Sequence, residues 1–234
     1  MSGETASPAS PAAAEVWLAT PDAAQRLDPA TLDDADRAAW AAIHTSRRRH
    51  DWESSRALQS AVPVAGERRS SLSHSHGFAA LALVPRPVAV GVDVEWLAPR
   101  DFRALADIAY SAEECAHLAS LDDLSELGSA FYELWTLKEA FAKALQLHLA
   151  DALRLCRFID GSGARRAEIP TTQSWRATVF APRPQLRLAV VRMHESPTAI
   201  CELVNTREWP LPRVREWPIV LDLASSGRRA ATAC

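Results

Sequence analysis

The stretch "VAVGVDVEW", residues 88–96, decides how the chain is read. Valines at 88, 90, 92 and 94 fall on one side of a pleated strand; Ala89, Gly91, Asp93 and Glu95 fall on the other. The valine side belongs in a core. The opposite side sets two carboxylates roughly 6–7 Å apart, where like charges oppose strand pairing. Either that side faces solvent, or it is half of a site for a hard cation.

Outward from this strand, "GFAALALV" precedes it across a "PRP" turn and forms a second strand, and "EVWLAT" forms a short one near the start. Helical spacing runs through "DPATLDDADRAAWAAIHTS" and again through "RRRHDWESSRALQSAV", which Pro63 stops. After Pro99 the pattern turns helical: "DFRALADIAY", then "SAEECAHLASL", which opens with Ser111 and Glu114 spaced as a capping box. Gly128 marks a break, and the next helix is expected from about Ser129 through Leu147. "DALRLCRFID", "SWRATVF", "QLRLAVVRM" and "AICELVN" alternate and predict antiparallel strands. The expected divisions are an Ala/Ser/Pro-rich disordered tail at 1–14, one lobe at 15–95, a second at 96–205 and an extended tail at 206–234 with a frayed end. A site belongs at the junction of the lobes, where the acidic strand ends.

A length of 234 residues, with 48% hydrophobic and 24% charged residues, fits a globular α/β (α+β) protein with ample core. A net charge of −3 argues against general nucleic-acid or membrane affinity, so phosphate binding must rest on local basic clusters. Cysteines at 115, 156, 201 and 234 form no C-x-x-C pair and no metal spacing. Scattered thiols, no secretory signal and no apolar run near the ~20 residues of a membrane helix predict a cytoplasmic protein.

The third carboxylate lies in "FYELWTLKEAFAKAL", residues 131–145. Trp135, Glu139 and Lys143 are spaced i, i+4, i+8 and share one stripe, with Lys138 beside it. Taken alone, Glu139 and Lys143 make a surface ion pair worth about 0.3–0.5 kcal/mol. Taken with Asp93 and Glu95, Glu139 completes the oxygen-rich set that Mg²⁺ or Mn²⁺ accepts, an ion that takes further ligands from substrate phosphates. "SRRRHDW" supplies Arg47, Arg48 and Arg49, and Arg56 follows on the same helix; planar guanidinium forks suit a phosphate monoester. In "SLSHSHG", His74 stands between hydroxyls.

"GVDVE" followed about forty residues later by "WTLKEAFAK" resembles the paired signatures of the 4′-phosphopantetheinyl transferases. "LSHS" is similar to that family's Ser-His-Ser segment and "RRRHDWESSRAL" to its basic helix, so the resemblance covers about residues 15–205. The length resembles the long class typified by the activator of surfactin synthetase. That resemblance implies a monomer of two similar, pseudo-twofold related lobes, each a small, mostly antiparallel sheet packed with helices, with coenzyme A between them. It implies Mg²⁺ (or Mn²⁺) on Asp93, Glu95 and Glu139. Glu139 would accept the proton of a carrier-protein serine, directly or through water, and Lys143 would steady charge on the breaking pyrophosphate. Ser73, His74, Arg47, Arg48, Arg56 and Lys138 are implied as coenzyme A contacts, the arginines as candidates for its 3′-phosphate. The implied partner is an apo acyl or peptidyl carrier protein of secondary metabolism or fatty-acid synthesis.

Two departures from the family pattern stand out. Ser55 replaces a common Gly, and "AGERRSS" is shorter than the usual Gly-x-Pro stretch, with Arg68 or Arg69 as substitutes for its basic contact. Two other readings stay open: a metal-dependent phosphohydrolase using water, and a non-catalytic binding module.

Overall fold

Alternation in the sequence becomes a layered arrangement in the computed structural model, which describes residues 13–64, 66–160, 165–210 and 213–225. The first sheet contains β1 (Ala14–Ala19), β2 (Arg68–Ser75), β3 (Phe78–Pro85), β9 (Leu203–Trp209) and β10 (Arg213–Val214), in the order β10-β9-β1-β3-β2. The second contains β4 (Ala89–Trp96), β7 (Ser174–Arg183), β8 (Leu186–His194) and β11 (Ile219–Ala224), in the order β11-β7-β8-β4. A small hairpin, β5 (Arg157–Asp160) and β6 (Arg165–Glu168), stands apart. Every pairing is antiparallel except β1 with β9, which is parallel. The helices are α1 (Asp34–Ala41), α2 (Ser46–Ala61), α3 (Phe102–Ala109), α4 (Ala112–Ala119), α5 (Leu124–Leu145) and α6 (Leu149–Leu155).

Period-2 patterning explains the layers. Even-numbered residues of β3 and the valines of β4 meet Val16, Leu18, Leu188 and Val190 in a core between the two sheets. Each such valine, fully buried, contributes roughly 1.5–3 kcal/mol. Odd residues of β3, Ala79, Leu81 and Leu83, turn the other way and pack on Leu58 of α2 and on Val62 just past its end. The outer face of the second sheet carries α5 through Leu134, Leu137 and Phe141. The order through the molecule is therefore helix, sheet, sheet, helix, a mixed α/β architecture.

Several expectations change. Sheet membership does not follow the 95/96 boundary: β4 leaves the first part of the chain to pair with β8, and β9 returns to pair with β1. Residues 213–214 and 219–224 of the expected extended tail complete one sheet each. Gly128 does not break a helix. It lies inside α5, where a Cβ would sit 3.2 Å from the Phe102 ring, so the missing side chain admits that ring. "DALRL" is helical in α6, and only "RFID" is strand. The Ser111–Glu114 capping box forms with both hydrogen bonds. The expected disordered tail lies outside the described residues up to residue 12, while Ala14 already opens β1; the frayed end at 226–234 also lies outside them. Among the described residues no helix is long and apolar enough to cross a membrane.

Gly91 sets how closely α5 lies on β4. A Cβ there would be 1.9 Å from the Ala140 carbonyl oxygen and 2.8 Å from the Ala144 nitrogen, both backbone atoms that cannot step aside alone. Gly91→Ala is expected to lift α5 and cost about 2 kcal/mol or more, read by chemical denaturation. An unchanged midpoint would show that α5 tolerates a wider spacing.

Candidate metal and phosphate site

The close approach at Gly91 has a chemical consequence: it brings the neighbours of Ala140 and Ala144 against the acidic face of β4. One carboxylate oxygen from each of Asp93, Glu95 and Glu139 lies within 4.8 Å of the others. Asp93 is 1% exposed, which excludes the solvent-facing alternative for it.

Asp93 Oδ1 accepts hydrogen bonds from Ser73 Oγ at 2.7 Å and from Lys143 Nζ at 3.0 Å. Lys143 Nζ also donates to the Val92 carbonyl at 2.8 Å, so its ammonium is fixed at the edge of β4. Asp93 Oδ2 is buried without a hydrogen-bond partner among the described residues. An orphaned carboxylate oxygen in such a place is costly unless a cation supplies what protein does not. Glu95 Oε2 accepts from Ser75 Oγ at 2.7 Å. Oxygens on opposite sides of a Mg²⁺ ion lie about 4.2 Å apart, so three carboxylates at the observed spacing need close only slightly to share one. The donor set fits a hard divalent cation.

Electrostatics agree with the geometry. Burial, and then the charge of Asp93, push Glu139 up to about 8 and Glu95 up to about 7 from the ordinary 4.5. Both carboxyls therefore keep protons in the metal-free fold that the unfolded chain has already released. The folded state binds more protons across roughly pH 4.5–8, so its stability falls as pH rises through that window. A divalent ion binds the deprotonated forms, so its stabilisation should grow over the same range. The rise in melting temperature on adding Mn²⁺ is expected to be larger near pH 8 than near pH 6. An equal rise at both would separate metal binding from these carboxyls.

The other sequence-predicted residues divide sharply. Ser73 gives its hydroxyl to Asp93. His74, next to it, is exposed on the opposite face of β2, the face that carries Leu72 toward α2. Arg47, exposed in the first turn of α2, places Nη2 3.2 Å from His76 Nδ1, and that same nitrogen lies 3.1 Å from Ser75 Oγ. Arg48 is exposed on the same turn. Arg56 is committed elsewhere: it pairs with Asp36 at 3.0 Å, donates to Gln59 and lies over the Trp52 ring. Ser55 is buried, with Oγ donating to the Trp52 carbonyl.

Lys138, expected among the coenzyme A contacts, is instead a core residue. Its side chain is 0% exposed, and Nζ donates to Glu114 Oε2 and to the Leu153 carbonyl, both at 2.8 Å. One helical position from Glu139, it points into the protein because α4 and α6 cover that side of α5.

Three residues had no role assigned from the sequence: Ser75, Arg100 and Arg86. Ser75 binds Glu95 and lay unassigned within "SLSHSHG". Arg100, just past β4, bears on Glu95 electrostatically and donates to the Tyr132 hydroxyl at 3.1 Å; no spacing in the sequence marked it. Arg69 and Arg86 join Lys143 and Gln146 around an open cleft of about 530 Å³ beside the acidic centre. Of the two arginines offered as a substitute basic contact, Arg68 is spent on Glu15 and the Ala13 carbonyl, which leaves Arg69.

No curated protein matches the chain at a significant level. Residues 89–191, which run from β4 into β8 and carry Asp93, Glu95, Glu139 and Lys143, match the family model of the 4′-phosphopantetheinyl transferase superfamily.

Proposed function

We propose that the chain is a Mg²⁺-dependent 4′-phosphopantetheinyl transferase that moves the phosphopantetheine arm of coenzyme A to a serine of an apo carrier protein. The observation that carries this reading is the buried, unpartnered Asp93 Oδ2 among three converging carboxylates. The family match over residues 89–191 supplies the reaction class. A bound divalent ion would neutralise the pyrophosphate and polarise the phosphorus under attack.

The chain's own residues would do the rest. Glu139, which burial and then Asp93 push up to about 8 in the metal-free fold, accepts in its deprotonated form the proton of the attacking serine hydroxyl. The serine oxygen forms its bond to the β-phosphorus as the bond to the bridging oxygen breaks, and adenosine 3′,5′-bisphosphate leaves. Lys143, already between Asp93 and the cleft, steadies the charge that collects there. Arg69 and Arg86 line the same cleft, while Arg47 and Arg48 remain the exposed arginines of α2 for the 3′-phosphate. We place the enzyme as a cytoplasmic monomer of the long, two-lobed class, serving carriers of secondary metabolism or fatty-acid synthesis.

Incubation with coenzyme A, Mg²⁺ and purified apo carriers tests this directly. A carrier that gains the mass of one phosphopantetheine arm supports transfer. Cleavage of coenzyme A with no carrier labelled would replace the reading with hydrolysis.

A further inference from the structure

The edge strands of the two sheets, β2 and β4, run side by side without a backbone ladder between them. Serine hydroxyls fill the seam. The Val92 amide donates to Ser71 Oγ at 3.0 Å, and Ser73 Oγ donates to Asp93 Oδ1 at 2.7 Å. Ser75 Oγ donates to Glu95 Oε2 at 2.7 Å and accepts from the Trp96 amide at 3.3 Å. Alternate residues of β2 thus meet alternate residues of β4 at a constant offset: 73 with 93, 75 with 95.

The choice of side chain matters. A hydroxyl has one proton, so each serine engages one oxygen of its carboxylate and leaves the other available. Asp93 already has one cationic partner in Lys143, and a further lysine or arginine in place of either serine would compete with a metal ion. An alanine would leave Asp93 with Lys143 alone as its side-chain donor, and would strip Glu95 of its hydroxyl donor. Ser73 and Ser75 are themselves buried; the Ser73–Asp93 bond is shielded from water and the Ser75–Glu95 bond partly so. The turn beyond them is fixed as well: the Gly77 amide donates to Asp51 of α2, and a Cβ on Gly77 would run into the His50 ring.

We propose that Ser73 and Ser75 are positioning residues that orient Asp93 and Glu95 across the join between the sheets, so that the acidic centre is assembled only when the two edges are in register. This rests on the acidic centre being a cation site. It gives the serines of the "SHS" segment a role toward the carboxylates.

The test is Mn²⁺ binding to the purified full chain by calorimetry, without coenzyme A or carrier, alongside the melting temperature. Ser73→Ala and Ser75→Ala are each expected to weaken Mn²⁺ binding by about 10–100-fold, as loss of a ligand-orienting partner does. Ser70→Ala, on the exposed face of the same strand, should bind as wild type does. If wild type binds Mn²⁺ and both variants stay within about twofold of it, the inference falls and the metal reading stands. The same holds if the variants merely melt earlier with affinity intact. If wild type does not bind Mn²⁺, the metal reading fails and takes this inference with it.

Discussion

Glu139→Gln should slow phosphopantetheine transfer by about 10²–10⁴-fold, the range general-base catalysis supplies, while leaving the fold in place. The amide keeps the size of the side chain and its seat on α5. It cannot accept the serine proton, and it is a weaker ligand for a hard cation. Stability should hold or rise slightly, because the negative charge of Glu139 is opposed by burial, Asp93 and Glu95 in the native state. The pairing of a lost rate with an undiminished melting temperature separates a chemical role from a structural one. Single-turnover labelling of the carrier, followed by mass, reads the rate; coenzyme A binding, measured separately, should survive. Turnover within about tenfold of wild type would remove Glu139 as the base, since losing such a group costs more than that.

How much of this centre was legible beforehand follows from which residues speak locally. Asp93 and Glu95 announced themselves because they break the apolar pattern of a strand whose other side is all valine. Glu139 and Lys143 announced themselves by helical spacing. What local pattern does not carry is partnership. Nothing in "VAVGVDVEW" says that its neighbour is β8, ninety residues on, rather than β3, to which a short turn joins it. The serine seam was hidden for the same reason: Ser73 and Ser75 read as strand hydroxyls until β2 and β4 are laid edge to edge. Gly128 misled because a glycine costs an isolated helix about 1 kcal/mol, and only the Phe102 ring packed over it repays that. Lys138 misled most, because a helical lysine next to a ligand carboxylate looks the same whether its far side meets water or another helix.

That last residue yields the second large effect. Lys138→Met should destabilise the protein by about 3–5 kcal/mol, the usual result of stripping one partner from a buried ion pair. Glu114 is the reason. Its Oε2 accepts from Lys138 and from the Ser111 amide, and its Oε1 from the Phe158 amide, so it ties α4, α5 and β5 together. Lys138 completes the knot by donating to Leu153 at the end of α6 and lying 5.0 Å from the Tyr110 ring centroid. Burial lowers the Lys138 pKa, while Glu114 pulls it back up. Without the ammonium, Glu114 must either keep an unopposed charge in the core or take up a proton. A second change, Glu114→Gln, removes that charge and should recover a substantial part of the loss; the double-mutant cycle in chemical denaturation reads the coupling. A coenzyme A-binding lysine would behave otherwise. Lys138→Met would then leave the denaturation midpoint nearly unchanged and raise the coenzyme A requirement instead, and that outcome would return Lys138 to the cleft.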